Sequence, residues 1–126
     1  TSGVTLSGPV NLTLPGTVAV PATTITNTFR VEDPRVTAAI TGVVAGTANV
    51  AVNKDGIGRL TLGGANTYVG PTTVAANGGA LRVTNSQAFG LGVGQVVTVN
   101  QNTALELDGS LGALSVTDKI LRLVSD

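Results

Sequence analysis

Three short segments with the same pattern recur along the chain at a nearly constant spacing. Each consists of an apolar, a polar and an apolar residue, and the first residues of the segments lie 21 and 24 positions apart. Because side chains alternate between the two faces of a strand, each segment places both apolar residues on one face. A period in the low twenties is typical of a solenoid, whose stacked coils bury a core that one coil cannot close alone. The apolar pairs are Leu60 and Leu62, Leu81 and Val83, and Leu105 and Leu107.

Short strand-like segments separated by turn residues occupy the rest of the chain, and the predicted turns include Lys54-Asp55-Gly56 and Asn77-Gly78-Gly79. Val and Thr favour strands, and the 17 Gly residues indicate many tight turns. The apolar stretch Ala38–Ala45 predicts one or two strands, and Ser86–Gly90 predicts a short turn of helix beside a coil. We predict the other strands at Val4–Leu6, Val10–Leu14, Thr24–Val31, Asn49–Val52, Arg59–Leu62, Thr72–Ala75, Ala80–Val83, Val96–Val99, Ala104–Leu107 and Lys119–Val124.

These observations predict an all-β fold, a right-handed parallel β-helix (β-solenoid) with coils of about 20–25 residues. The chain of 126 residues is expected to form a single β-solenoid domain. Within it, residues 54–109 would form the repeat-like coils and residues 110–126 a further coil. Residues 1–46 repeat less regularly, which predicts either irregular coils or a cap.

Composition excludes several classes of function. The chain has no His and no Cys, so neither a Ser-His-Asp triad nor a typical zinc site can be built. Seven basic residues balance seven acidic ones and are scattered, so we expect no binding to nucleic acid. No apolar run approaches the roughly 20 residues of a membrane span. We therefore expect no enzymatic activity, no catalytic residues, no cofactor and no metal site.

A pair of carboxylates in the last repeat-like strand is the first candidate for a catalytic or metal site. Glu106 and Asp108 stand two positions apart, with Cα atoms expected roughly 6.5–7 Å apart, so they could form an acid/base pair or a cation site. Strand alternation gives the simpler interpretation. If Leu105 and Leu107 point inward, the two carboxylates point to solvent.

A charge cluster around Pro34 is the second candidate for a catalytic site. β-Helix polysaccharide lyases and hydrolases use acidic groups beside Arg or Lys in a shallow groove. A solvated loop with weak surface ion pairs would have the same composition, and we favour it. The cluster consists of Arg30, Glu32, Asp33 and Arg35.

A dense set of glycines surrounds an Asn-Thr-Tyr triplet in the middle of the chain. Residues 56–74 read GIGRLTLGGANTYVGPTTV, and residues 79–83 read GALRV. This pattern resembles the autotransporter-associated β-strand repeat, also called the passenger-associated transport repeat, and the resemblance covers about residues 54–109. Its repeat-motif positions are Gly58, Leu60, Leu62, Gly64, Asn66, Thr67, Tyr68, Gly70, Thr72, Leu81, Val83, Leu105 and Leu107.

The resemblance implies a parallel β-helix within an exported bacterial passenger or a large surface protein. It also implies a role in passing and folding that passenger at the cell surface, and it brings no catalytic residues. The location would be secreted or at the bacterial cell surface, after export across the outer membrane. Within this setting, Asn66, Thr67 and Tyr68 are interpreted as structural residues because Asn suits turns and can hydrogen-bond adjacent coils.

Three functions remain open at this point. The leading hypothesis is a non-enzymatic structural or folding segment. The first alternative is an adhesin or glycan-binding module, and the second is a fragment of a β-helix polysaccharide-degrading enzyme. The expected partners are neighbouring coils of the parent protein, a host or glycan ligand for the adhesin hypothesis, and other copies through end-to-end association at unpaired strand edges.

Overall fold

The computed structural model describes residues 3–6, 12–14, 18–20, 26–46 and 51–125, with side chains from residue 27 onward. Thirteen strands and no helix occur in these ranges, and no helix there could therefore cross a membrane. The predicted strand starts at Val10, Thr24 and Asn49 lie outside the described residues. The strands are β1 Gly3–Leu6, β2 Leu12–Leu14, β3 Val18–Val20, β4 Thr26–Val31, β5 Thr37–Ile40, β6 Val44–Gly46, β7 Ala51–Asp55, β8 Arg59–Leu62, β9 Thr72–Val74, β10 Gly79–Val83, β11 Val96–Val99, β12 Thr103–Leu107 and β13 Ile120–Leu123.

The described strands form three sheets, and neighbouring strands within each sheet run parallel. The first sheet has the order β1-β4-β7-β9-β11-β13, the second has the order β12-β10-β8-β5-β2, and the third pairs β3 with β6. The chain thus contributes strands to the first two sheets alternately. It returns to the same sheet after one complete coil. This arrangement is a β-solenoid, as the sequence predicts.

The predicted leucine ladder is present in the second sheet. Leu60 of β8 stands opposite Leu81 of β10, and Leu81 stands opposite Leu105 of β12. Leu60 and Leu81 are almost completely buried. Stacking like residues on adjacent coils keeps apolar side chains in contact along the solenoid axis, which removes apolar surface from water at each step.

The core is narrow and is built mainly from small aliphatic side chains. The one Tyr and the two Phe of the chain, Tyr68, Phe29 and Phe89, are all buried in it. Their neighbours in the core are Val31, Val36, Ala38, Ile40, Val44, Val52, Leu60, Leu62, Val74, Leu81, Val83, Ala88 and Val97.

Strands that precede residue 47 pair directly with the later coils. β4 pairs with β7 in the first sheet, and β5 pairs with β8 in the second. The stretch Ala38–Ala45 contributes to two strands, β5 and β6, as predicted. Whether residues 1–46 act as a cap stays a prediction.

Two asparagines with left-handed backbone conformation form matching turns on successive coils. Asn77 has φ of 58° and Asn102 has φ of 55°. The side-chain amide of Asn102 donates to Oδ1 of Asn77 at 3.0 Å. Asn tolerates this conformation better than most residues because its short polar side chain bonds locally, so the predicted turn at Asn77 gains a cross-coil contact as well.

Three local predictions were wrong. Residues 86–90 are not helical: the amide of Ala88 donates to the Asn85 carbonyl and the amide of Gly90 to the Gln87 carbonyl, which gives turns. Lys54 and Asp55, expected in a turn, end strand β7. Leu107 is 61% exposed although it is in register with Val83. The reason is that β12 is the last strand of its sheet, so no described strand covers that leucine.

Candidate functional site

The side chain of Asn66 joins three successive coils. Its Oδ1 accepts a hydrogen bond from the amide of Val44 at 2.7 Å, and its Nδ2 donates to the carbonyl of Ala88 at 2.7 Å. Both partners lie 22 residues away, one before and one after. Asn66 is fully buried. A carboxamide has a donor end and an acceptor end, so this residue type can satisfy an amide on one side and a carbonyl on the other.

Backbone hydrogen bonds run beside this bridge, between residues that lie outside the strands except for Val44 of β6. The amide of Thr67 donates to the carbonyl of Val44 at 2.9 Å, and the amide of Asn66 donates to the carbonyl of Gln87 at 3.2 Å. The amide of Leu91 donates to the carbonyl of Tyr68 at 2.8 Å. The corner of each coil is therefore held to the next corner by direct bonds, which satisfies backbone groups that burial would otherwise leave unpaired.

The hydroxyl group of Tyr68 is the second polar group of the motif inside the core. It lies 2.6 Å from Oγ1 of Thr72 and donates to the carbonyl of Ala88 at 3.3 Å. Ala88 thus accepts from both Asn66 and Tyr68. Burial raises the pKa of Tyr68 well above its usual value because the phenolate would lose its hydration, and the hydrogen bond with Thr72 opposes this only partly.

Two motif glycines lie where coils approach each other closely. A Cβ atom at Gly64 would lie 2.0 Å from the carbonyl oxygen of Gly42, and one at Gly58 would lie 2.3 Å from Cγ1 of Val31. Both residues are buried. Gly64 is needed for space, because any side chain there would collide with the backbone of the preceding coil.

Lys54 places an ammonium group inside the solenoid. Its Nζ donates to the carbonyl of Asp55 at 2.9 Å and to those of Gly56 and Gly78, each at 2.7 Å. The side chain is buried. Burial lowers the pKa of Lys54 to about 8, and the nearby charge of Asp55 opposes that shift. Each of the three N–H groups of the ammonium therefore has an acceptor.

The carboxylates Glu106 and Asp108 each form an ion pair with an arginine from another strand. Glu106 accepts from Arg59 at 2.8 Å, and Asp108 accepts from Arg82. The backbone amide of Ser110 and then Arg82 lower the pKa of Asp108 to about 2. A carboxyl group held ionised in this way is poorly suited to act as a general acid near neutral pH.

The charge cluster around Pro34 consists of two separate sets of ion pairs. Arg30 contacts Asp55 of the next coil at 2.7 Å and Glu32 at 3.1 Å. Arg35 contacts Asp33 at 2.7 Å, and both the side chain and the amide of Arg35 lower the pKa of Asp33. In the part of the chain that the structure describes, no three acidic side chains converge on a point where a metal ion could be held.

Two polar residues of the motif, Asn66 and Tyr68, thus face inward and bond to adjacent coils. The sequence model of the Passenger-associated-transport-repeat matches residues 52–83. The family resemblance predicted from the sequence is therefore confirmed for these residues, whereas residues 84–109 lie beyond the match. No curated protein and no solved structure matches the chain.

Eleven of the thirteen predicted motif positions lie within the matched repeat, and Leu105 and Leu107 lie after it. Both hydrogen-bond partners of Asn66, Val44 and Ala88, lie outside it. Thr67 and Gly70 are on the same coil corner, where Thr67 is half-buried and Gly70 is buried. Lys54 falls within the match, but sequence reasoning missed its structural role because its Lys-Asp-Gly context is a turn signal.

Proposed function

We propose that this chain is a structural and folding segment of an exported bacterial passenger or surface protein, in which the repeat at 52–83 fastens successive coils. The bridge from Asn66 to Val44 and Ala88 carries the proposal. The repeat family is a structural one, which supports a non-enzymatic role and a location outside the cell.

The orientation of the motif supports this assignment. Asn66, Tyr68 and Thr72 are the polar side chains that a binding motif would present to a ligand, yet all three are buried. Their polar atoms are hydrogen-bonded to one another or to the backbone of other coils. Ligand recognition would require these groups to leave partners that the core already supplies.

The same contacts suggest how the segment would assist folding. In a solenoid, each coil contacts mainly its neighbours, so stability depends on the interfaces between coils. A coil that bonds to both neighbours through a buried side chain favours one alignment of those neighbours, because a misaligned coil would leave the amide of Val44 or the carbonyl of Ala88 without this partner. Once formed, residues 52–83 would therefore template the coils before and after them as the passenger emerges from the membrane.

The proposal is tested by replacing Asn66 with Leu, which keeps a similar volume but removes both hydrogen bonds. The amide of Val44 then loses its side-chain partner, and the carbonyl of Ala88 keeps only the longer bond from Tyr68. We therefore expect a loss of about 1–3 kcal/mol in the free energy of unfolding and slower refolding. Thr61→Ala, on the outer face of β8, is the matched control and should change both quantities little. Refolding of Asn66→Leu at the unaltered rate and with unaltered stability would contradict the proposal.

A glycan-binding function is a second candidate, favoured by one feature of the first sheet. Thr28, Asn53, Thr73 and Thr98 are in register on successive strands and are half-buried on the outer face. Such a row offers regularly spaced hydroxyl and amide groups. Glycan-array screening of the chain and of a Thr73→Val, Thr98→Val variant tests it: binding that the variant loses would support this candidate over a purely structural role.

A further inference from the structure

An Asn-Gly pair lies in the turn between β9 and β10. Asn77 is the one asparagine of the chain that a glycine follows. It is exposed and has a left-handed backbone with φ of 58°, whereas Gly78 is buried. Because glycine has no Cβ, its amide nitrogen can approach the side chain of the preceding residue with little steric hindrance. An asparagine in this position therefore cyclises onto its own backbone more readily than one that a larger residue follows.

The reaction at such a pair needs only water as a co-reactant. The amide nitrogen of Gly78 loses its proton to solvent and attacks Cγ of Asn77, so that an N–Cγ bond forms. The Cγ–Nδ2 bond breaks, and the nitrogen takes a proton from solvent and leaves as ammonia. Water then opens the resulting succinimide at either of its carbonyl groups. Opening at Cγ gives aspartate, and opening at the backbone carbonyl gives isoaspartate, in which the chain runs through Cβ and Cγ.

Three hydrogen bonds hold this pair away from the reactive arrangement in the folded coil. The amide of Gly78 donates to the carbonyl of Ala75 at 2.8 Å. Oδ1 of Asn77 accepts from the side-chain amide of Asn102, in the next coil, at 3.0 Å. The carbonyl of Gly78 accepts from Nζ of Lys54 at 2.7 Å. The attacking nitrogen, the side chain that it would attack and the following carbonyl are thus each bound to a different partner.

We propose that Asn77 is a site of spontaneous deamidation that closure of the coil blocks and that unfolding opens. Before the reaction can occur, the amide of Gly78 must leave the carbonyl of Ala75 and reach water, which requires local or global opening of the turn. The folded solenoid therefore protects Asn77, and a chain that stays unfolded loses this residue with time. The inference does not depend on the proposed function, because the chemistry occurs in any unfolded copy of the chain.

Isoaspartate in place of Asn77 would prevent the turn from closing in its native form. The additional backbone carbon displaces Gly78, whose amide and carbonyl bind Ala75 and Lys54. Space at this turn is tight, because a Cβ at Gly78 would lie 2.5 Å from the carbonyl oxygen of Ala75. The next residue, Gly79, begins β10. A chain modified in this way is therefore expected to lose the contact between Lys54 and Gly78 and to misplace the start of β10.

Peptide mapping by mass spectrometry measures the protection. The chain is kept at mildly alkaline pH in native buffer and, in parallel, in guanidinium chloride at a concentration that abolishes its β-type circular dichroism. We expect Asn77 to convert to aspartate and isoaspartate in the denaturant and at least about tenfold more slowly in native buffer, because only open turns react. Asn66 is the internal control and should stay unmodified in both solutions, because the branched side chain of Thr67 crowds the attacking nitrogen. Equal rates at Asn77 in the two solutions would overturn the proposal.

Refolding measures the consequence of the modification. Chain that has been incubated in denaturant is diluted into native buffer, and we expect its recovery of β-type circular dichroism to fall as the isoaspartate content rises. Asn77→Gly is the matched control, since glycine adopts the left-handed conformation and has no carboxamide to cyclise. Its recovery should not change with the time of incubation. Full recovery of the unmodified chain despite conversion, or an equal loss in Asn77→Gly, would contradict the effect assigned to isoaspartate. The rate comparison needs no variant, so it tests the site even if Asn77→Gly folds poorly.

Discussion

The ammonium group of Lys54 lies 2.7 Å from the carbonyl oxygen of Gly78, a residue 24 positions further along the chain and one coil away. The same group binds the carbonyls of Asp55 and Gly56 in its own coil. A single cation thus ties the end of β7 to the turn before β10. Its three acceptors are all backbone atoms, so the contact is independent of the side chains present at those positions.

Replacing Lys54 with Met should destabilise the solenoid. The thioether fills a similar space but cannot donate, so the buried carbonyls of Gly56 and Gly78 and the half-buried carbonyl of Asp55 lose a donor. We therefore expect a loss of about 2–4 kcal/mol in the free energy of unfolding. Urea titration followed by circular dichroism measures it. Arg122→Met, which removes an exposed cation from β13, should change stability by less than about 0.5 kcal/mol. Equal stability of the two variants would show that the ammonium contacts contribute nothing.

The pKa of Lys54 predicts a rise in stability above pH 8. Its folded pKa of about 8 lies below the ordinary value of 10.5. Between these values the unfolded chain binds more protons than the folded one, so the free energy of unfolding rises with pH. Urea titrations at closely spaced pH values should show the rise in the unmodified chain and not in Lys54→Met. A flat or falling profile between pH 8 and pH 10 would contradict the assignment.

Tyr68 predicts the opposite trend at higher pH. Burial raises the folded pKa of Tyr68 above its ordinary value of 10.0. Above pH 10 the unfolded chain therefore releases a proton that the folded chain retains, and the free energy of unfolding falls. The fall should disappear in Tyr68→Phe, which has no hydroxyl to ionise. Its persistence in that variant would assign the effect to another group.

Gly64 should tolerate no side chain, whereas its neighbour Gly63 should. A Cβ at Gly64 would lie 2.0 Å from the backbone oxygen of Gly42, but one at Gly63 would lie 3.2 Å from the hydroxyl of Thr84, which can rotate away. We expect Gly64→Ala to cost about 1–3 kcal/mol through overpacking and Gly63→Ala clearly less. Thermal unfolding of both variants measures this difference in stability. Equal melting temperatures would contradict the steric role assigned to Gly64.

The ladder of the second sheet was predictable because alternation and period are local properties of the sequence. Leu60, Leu81 and Leu105 recur in matching triplets, and like positions stack in a solenoid. The exposure of Leu107 was not predictable in the same way. Alternation specifies which face a side chain takes, but burial depends on whether another strand covers that face.

The interior of the candidate site was harder to derive from sequence. The Asn-Thr-Tyr triplet indicated the family, and a cross-coil hydrogen bond by Asn was expected. Its partners at Val44 and Ala88 follow only from the stacking of coils, because Asn66 and Ala88 lie outside the strands whose alternation indicates a register. Lys54 was assigned to a turn because Lys-Asp-Gly is a turn signal. Its hydrogen-bond partners are carbonyl groups, which every residue carries, so the sequence does not mark them.

The stacked leucine ladder is the feature on which the structural account rests, and Leu81→Asp tests it most directly. Leu81 is buried between Leu60 and Leu105, so an aspartate there would bury an unpaired charge in the core. Thr61→Asp, on the outer face of the adjacent strand, is the matched control. We expect Leu81→Asp to lose its β-type circular dichroism and its cooperative thermal unfolding, and Thr61→Asp to keep both. An unchanged spectrum and melting temperature in Leu81→Asp would contradict it.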